Sequence, residues 1–181
     1  MRESDKNPVL ILTGAPGSGK TTVAQLLVAE SQCAVHLEAD QFFHFIQAGY
    51  IEPWKPESHE QNTIVMGIVA QAAASYSGAG YFTIIDGIVS PRWFFEPLCD
   101  SLRATGHSVT YAVLRAPLAV CLARVGGRAS NRLSNAVIER LWQDFADLGP
   151  LETHVIDSGT RTADATAVVL AERLQTGLLL V

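Results

Sequence analysis

Short apolar runs and stretches of helical periodicity alternate from one end of the chain to the other. The runs Val9–Leu12, Ala34–Leu37, Tyr81–Ile85, Val109–Leu114 and His154–Ile156 are too short to be amphipathic helices and are predicted as strands. Between them, apolar residues recur with helical spacing over Thr21–Glu30, Gln61–Tyr76, Phe94–Thr105, Leu118–Val125, Asn135–Ala146 and Ala163–Gln175, which predicts helices. Gly78-Ala79-Gly80 and Gly106-His107 punctuate the pattern as breaks. No repeat, low-complexity tract or linker interrupts it, and 181 residues is the length of one ordinary domain, so 1–181 is expected to be a single unit. Strand, helix and strand in alternation imply parallel pairing through right-handed crossovers, hence an α/β sheet covered by helices on both faces. Hydrophobic residues at 48% of the chain fit strands buried on both sides. In such sheets ligands gather at the carboxyl ends of the strands, so the residues that follow each apolar run carry the functional weight.

The first run is followed by Gly14-Ala15-Pro16-Gly17-Ser18-Gly19-Lys20-Thr21, with Thr22 continuing into a helix. That is a P-loop in its expected strand-to-helix context. Glycines let the backbone wrap a phosphate with consecutive N–H groups turned inward, and the helix start adds partial positive charge. Lys20 then reaches the outer phosphates and the Thr21 hydroxyl can hold Mg²⁺. Charge-assisted hydrogen bonds are worth about 1.5–3 kcal/mol each, so several together hold a nucleoside triphosphate with little help from its base.

After the second run comes Glu38-Ala39-Asp40. A carboxylate beside the mouth of a P-loop can accept the proton of an incoming hydroxyl and aim the oxygen at the terminal phosphorus. Asp40 is the candidate for that task; its other reading is the cap of the following helix, a role aspartate fills readily. Glu38 is the rival carboxylate, turned to the same side if the strand continues through both residues. The third run ends in Asp86-Gly87, an apolar strand leading to an aspartate that meets Mg²⁺ directly or through water. Arg92, just beyond, either binds an anionic part of an acceptor or lies along the next helix with its head in water. Phe43 and Trp54 are candidates for lining an acceptor pocket, with core packing the alternative for both. The segment Gly49–Pro56, prolines around Trp54, reads as an ordered loop rather than a helix and as a possible acceptor lid.

Arg124, Arg128 and Arg132 surround the Gly126-Gly127 break. Glycine hinges suit a segment that closes over bound nucleotide, and arginines delivered by closure neutralise charge on a transferring phosphoryl group. Arg128, beyond the break, is the favoured candidate, against the plainer reading of a solvated arginine face. The histidines at positions 36, 44, 59, 107 and 154 lack metal-ligand spacing and read as surface or satisfied core residues.

A formal charge of −5 argues against a nucleic-acid surface. Cys33, Cys99 and Cys121 are too scattered for a disulfide framework or a zinc site and are expected as buried, reduced thiols. The polar start and the short apolar run after it offer neither a signal sequence nor a membrane span, which points to the cytoplasm. The terminal Leu178-Leu179-Leu180-Val181 is expected to pack on the core.

On GAPGSGKT at Gly14–Thr21, EAD at Glu38–Asp40, IIDG at Ile84–Gly87, the Arg124 and Arg128 pair, and HVIDSG at His154–Gly159, the chain resembles the P-loop kinases of small molecules and nucleotides. That group contains gluconate, shikimate, adenylate and cytidylate kinases and chloramphenicol phosphotransferases. The resemblance implies a three-layer P-loop NTPase fold with a five-stranded parallel sheet in the order 2-3-1-4-5, and ATP with Mg²⁺ as cofactors. It further implies an arginine-bearing lid around residues 124–135, an acceptor side around residues 40–76, and Ser158, Gly159 and Thr160 near the base. Nucleoside monophosphate kinases often follow the third strand with Asp-Gly-Phe-Pro-Arg, whereas Ile88, Val89 and Ser90 stand here between Gly87 and Pro91-Arg92.

The expectation is an ATP-dependent kinase acting on a hydroxyl of a small molecule, with Lys20, Asp40 and Arg128 catalytic and Thr21 and Asp86 at the metal. Gly14–Thr22, Arg124 and Arg128 would hold the nucleotide, and Asp40, Phe43, Trp54 and Arg92 the acceptor. The alternatives are a cytidylate-like nucleoside monophosphate kinase, a kinase of nucleotide sugars, and a non-catalytic nucleotide-binding module. The chain contains no Asn-Lys-x-Asp guanine motif, which weakens the reading of a GTP switch.

Overall fold

The computed structural model describes residues 8–127 and 133–181. Its strands are β1 (Val9–Thr13), β2 (Ala34–Glu38), β3 (Phe82–Asp86), β4 (Val109–Arg115) and β5 (Val155–Asp157). Its helices are α1 (Lys20–Ala29), α2 (Ala39–His44), α3 (His59–Gly78), α4 (Phe95–Ala104), α5 (Leu118–Gly126), α6 (Asn135–Gln143) and α7 (Ala163–Gln175). Short 3₁₀ turns occupy Pro56–Ser58 and Gly149–His154.

All five strands are parallel, in the order β2-β3-β1-β4-β5, as the resemblance implied. β1 lies in the middle, and every one of its residues is buried. Alternation along it divides the core. Val9 and Ile11 join Met66, Val69 and Ala73 of α3 and Leu98 and Leu102 of α4. Leu10 and Leu12 face the other way, onto Val23 and Leu27 of α1 and Leu170 of α7. Full burial of each such side chain contributes about 1.5–3 kcal/mol, so a one-residue slip of β1 would exchange its partners on both faces at once.

Several boundaries differ from the sequence reading. The fifth strand starts one residue late because His154 ends the preceding 3₁₀ turn, where its Nδ1 lies 3.0 Å from the Tyr111 carbonyl oxygen. α6 stops at Gln143, short of Ala146, and α3 is longer at both ends than predicted. Cys99 and Cys121 are buried, but Cys33 is exposed, in the turn before β2. The terminal leucines do more than cover the core. Tyr111 N donates to Leu179 O at 2.8 Å and Val181 N to Val109 O at 3.1 Å, so the tail pairs antiparallel with the first half of β4 and buries Leu179 completely.

Candidate active site

The loop between β1 and α1 can be built only from glycine at its tightest points. Gly14 has φ +142°, and a Cβ there would lie 2.2 Å from the Leu114 carbonyl oxygen of β4. Gly17, at φ +83°, would press a Cβ to 2.5 Å from the Cys121 carbonyl of α5. The loop is thus seated against two neighbouring elements with no side chain between. α1 then begins at Lys20 behind a left-handed Gly19, and no side chain caps it. Its first N–H groups face the loop, an arrangement suited to a phosphate. Lys20 Nζ donates to the carbonyls of Gly14 at 2.9 Å and Ala15 at 3.3 Å, folded back over the loop that it closes.

Parallel register brings the carboxylates to this loop. Leu12 of β1 and Glu38 of β2 are both level with Asp86 at the end of β3, so three neighbouring strands end together. Pro16, Gly17, Gly19, Lys20, Thr21, Glu38, Asp40 and Asp86 line one cavity of about 130 Å³, with Gly87, Ile88 and Leu133. A second, of about 280 Å³, continues past Gly17 and Gly19 along Ser18, Thr22, Arg124, Ser158 and Arg161.

Asp86 is 5% exposed and does not stand alone. Its Oδ2 lies 3.1 Å from Nε2 of His36, and its carboxylate also accepts a hydrogen bond from the Thr21 side chain. Burial by itself would raise this carboxyl, but the His36 hydrogen bond, the Lys20 ammonium and the Thr21 hydroxyl together outweigh it and hold Asp86 below the ordinary carboxylate range. Asp40 behaves in the opposite way. It is open to water along the cleft, yet the surrounding walls strip part of its hydration; this pushes its carboxyl up, against the pull of Lys20 and with the help of the Asp86 charge.

The donor set suits a hard divalent cation. A Thr hydroxyl and an ionised carboxylate beside a phosphate loop are the oxygen ligands Mg²⁺ takes, with phosphates and water completing its shell. No group of three or more His, Cys, Asp and Glu side chains able to hold a metal occurs among the described residues, so the protein would share such an ion with a phosphate rather than cage it.

Several expected residues lie elsewhere. Asp40 is not the cap of α2 and is not on β2: the cap position is Glu38, without a side-chain cap bond, and Asp40 is in the first helical turn. Both carboxylates nonetheless reach the same cavity. Phe43 is a core side chain, 3% exposed, packed in the cluster that contains Met66, and does not line the cavity. Arg92 is exposed, and the charge it influences is that of Asp144. Trp54 is half-buried, and its carbonyl accepts from Arg140 of α6 at 3.3 Å. Arg124 donates to Gly17 O at 3.3 Å and to Ser158 O at 3.1 Å, tying the P-loop to the loop after β5. Arg128 and Arg132 lie outside the described residues. Of the trio after β5, Ser158 lines the second cavity, whereas the Gly159 N–H and the Thr160 hydroxyl turn to the Asp157 carboxylate.

Other features escaped the sequence reading. In sequence His36 reads as one of the scattered histidines, although its place two residues before Glu38 on the strand that leads to the acids is a signal. Gln61 and Asn62 read in sequence only as part of a helix. Gln61 donates to Ile51 O at 2.7 Å and accepts from Ile51 N at 2.9 Å, while Asn62 donates to Pro53 O and to Ser58 Oγ, both at 2.8 Å. The segment read as a lid is therefore pinned to the start of α3.

A P-loop facing a strand-end aspartate, on a parallel sheet of order 2-3-1-4-5, defines a P-loop NTPase fold of the kinase type. Residues 9–148 match the family described as AAA domain, and the chain belongs to that family. No curated protein matches it. Among solved structures it is similar to a sugar kinase from Janibacter sp. HTCC2649, at 23% identity over 93% of this chain and 95% of that one, with TM-score 0.71. The tunicamycin resistance protein of Deinococcus radiodurans gives 21% identity, 96% and 98% coverage and TM-score 0.72. Shikimate kinase from Acinetobacter baumannii, solved with shikimate, gives 17% identity, 96% coverage of both chains and TM-score 0.66. Likeness at these identities establishes the shared fold. No helix among the described residues is long and apolar enough to cross a membrane.

Proposed function

We propose that this protein is an ATP-dependent kinase that transfers the γ-phosphoryl group to a hydroxyl of a small molecule. The observation that carries this reading is one cavity lined at once by the phosphate loop with Lys20 and Thr21 and by the carboxylates Asp40, Glu38 and Asp86. Loop amides and Lys20 hold the β- and γ-phosphates. Thr21 and Asp86 are the residues that would hold Mg²⁺, which would supply positive charge to the phosphates. The acceptor hydroxyl sits at Asp40. Its oxygen forms the new bond to the γ-phosphorus as the bond to the bridging oxygen breaks and ADP leaves; its proton passes to the Asp40 carboxylate.

The acidic wall also bears on the acceptor. A phosphate acceptor arrives charged and needs cations rather than a base, and Glu38 and Asp40 would repel it; an uncharged hydroxyl is not repelled. Arg124, already bonded across the P-loop to Ser158, flanks the nucleotide, and Arg128 is the residue assigned to charge developing on the transferring group. The chain works as one kinase domain in the cytoplasm, with the segment around 124–135 as its lid and that around 40–76 as its acceptor side.

The test is a coupled assay of ADP release over sugars, sugar acids, antibiotics, nucleosides and nucleoside monophosphates. Turnover is expected with a hydroxyl acceptor that carries no phosphate. Preferred use of a nucleoside monophosphate would establish the cytidylate-like alternative, and nucleotide binding without transfer to any acceptor would leave a binding module.

A further inference from the structure

His36 lies on β2 level with Ile84 of β3, and Asp86 follows Ile84 by two residues, so the two side chains leave neighbouring strands on the same face of the sheet. Their side chains are 11% and 4% exposed, and Nε2 of His36 lies 3.1 Å from Oδ2 of Asp86. An ionised carboxylate only accepts, so Nε2 must carry the proton and donate it. The contact takes up one oxygen of a carboxylate that also meets the Thr21 hydroxyl and the Lys20 charge. A buried carboxylate with one donor fewer would be free to rotate about its Cβ–Cγ bond, toward Lys20 or away from the loop. For a ligand meant to meet a small, geometrically demanding cation, that freedom matters.

We propose that His36 is a positioning residue of the nucleotide–metal site: by holding Oδ2 of Asp86 from the neighbouring strand, it fixes the carboxylate in the one orientation that serves Thr21 and the P-loop together. His36 itself lines neither cavity. The proposal rests on the assignment of Thr21 and Asp86 to Mg²⁺ made above. A plain structural role, a bond that merely fastens β2 to β3, is the competing account, and it predicts a loss of stability with no change in how the site responds to magnesium.

The test is calorimetric titration of ADP into the whole protein with and without Mg²⁺. For the natural protein Mg²⁺ is expected to tighten ADP binding. In His36→Ala that tightening is expected to shrink by about 10–100-fold, the usual loss when a metal ligand's supporting partner is removed, with metal-free ADP affinity unchanged. His36→Gln, which keeps a neutral N–H donor at similar reach, is expected to restore it. If alanine prevents folding, His36→Leu fills the same space without a donor and replaces it. A donor-less variant that keeps the full magnesium effect, or that loses metal-free and metal-bound affinity alike, overturns the proposal. Natural protein that binds ADP with no response to Mg²⁺ fails at the earlier step, since it removes the metal assignment itself.

Discussion

The two sides of the cleft are constructed differently. The phosphate side is local: β1, the loop and the start of α1 are contiguous in the chain, and the groups that point at a ligand are mostly backbone N–H. The acceptor side is assembled from distant parts. Glu38 and Asp40 arrive at the junction of β2 and α2, Ile88 after β3 and Leu133 before α6, and the wall over Ile51–Ser58 is held by Gln61 and Asn62 of α3 and by Arg140 of α6. A backbone nest tolerates only one sequence pattern, whereas a side-chain wall can be rebuilt residue by residue. A shared phosphate chemistry with varied acceptors follows from that division.

The sharpest break falls on the local side. Gly14→Ala sets a Cβ against the Leu114 carbonyl at a left-handed backbone position, and the loop cannot move without disturbing β4. Loss of measurable ADP binding in calorimetry is the expected result, where an exposed alanine substitution elsewhere would be silent.

Asp40→Asn probes the seam between the two sides. Turnover is expected to fall by about 10²–10⁴ with ADP affinity unchanged, because the amide keeps the shape of the carboxylate and loses its basicity. Weakened ADP binding with turnover intact would move Asp40 to the phosphate side. The same residue sets a pH dependence. Its carboxyl is raised above the ordinary range, and only the ionised form accepts a proton; activity should therefore be lost as pH falls through a value above about 3.9, the carboxylate reference. The acid limb of kcat/KM against pH reads this, and a limb at or below that reference would count against Asp40 as the base.

Gln61→Ala is the mildest of the three and belongs wholly to the acceptor side. It removes both hydrogen bonds to Ile51, and stability should drop by about 1–3 kcal/mol in thermal melting. The acceptor KM is expected to rise while ADP affinity stays constant. An equal loss of ADP affinity would mean the wall and the phosphate loop are coupled rather than separate.

The same division governs what could be read in advance. β1, the P-loop and α1 are legible because strand run, glycines, lysine and helix form one uninterrupted pattern with a single chemical use. Asp86 is legible because it ends a strand beside that pattern. Phe43 stays open in the sequence because an aromatic after a strand looks the same whether it turns inward or into a pocket; only packing in the cluster that includes Met66 of α3 decides it. His36 is not legible as a site residue because its partner lies fifty positions away and register alone brings them to 3.1 Å. The segment Ile51–Ser58 is legible as an ordered loop from its prolines, whereas what holds it, Gln61 and Asn62 of the following helix, lies outside that local pattern.

By itself the sequence determined that strands and helices alternate, where the phosphate loop lies, and which strand ends carry acids, since each is a matter of neighbouring residues and backbone stereochemistry. Tertiary structure decided which acids share a cavity, which way Asp40 and Asp86 titrate, and which histidine supports Asp86. Those depend on register, burial and the fields of residues far apart in the chain, and none of these exists until the sheet has formed.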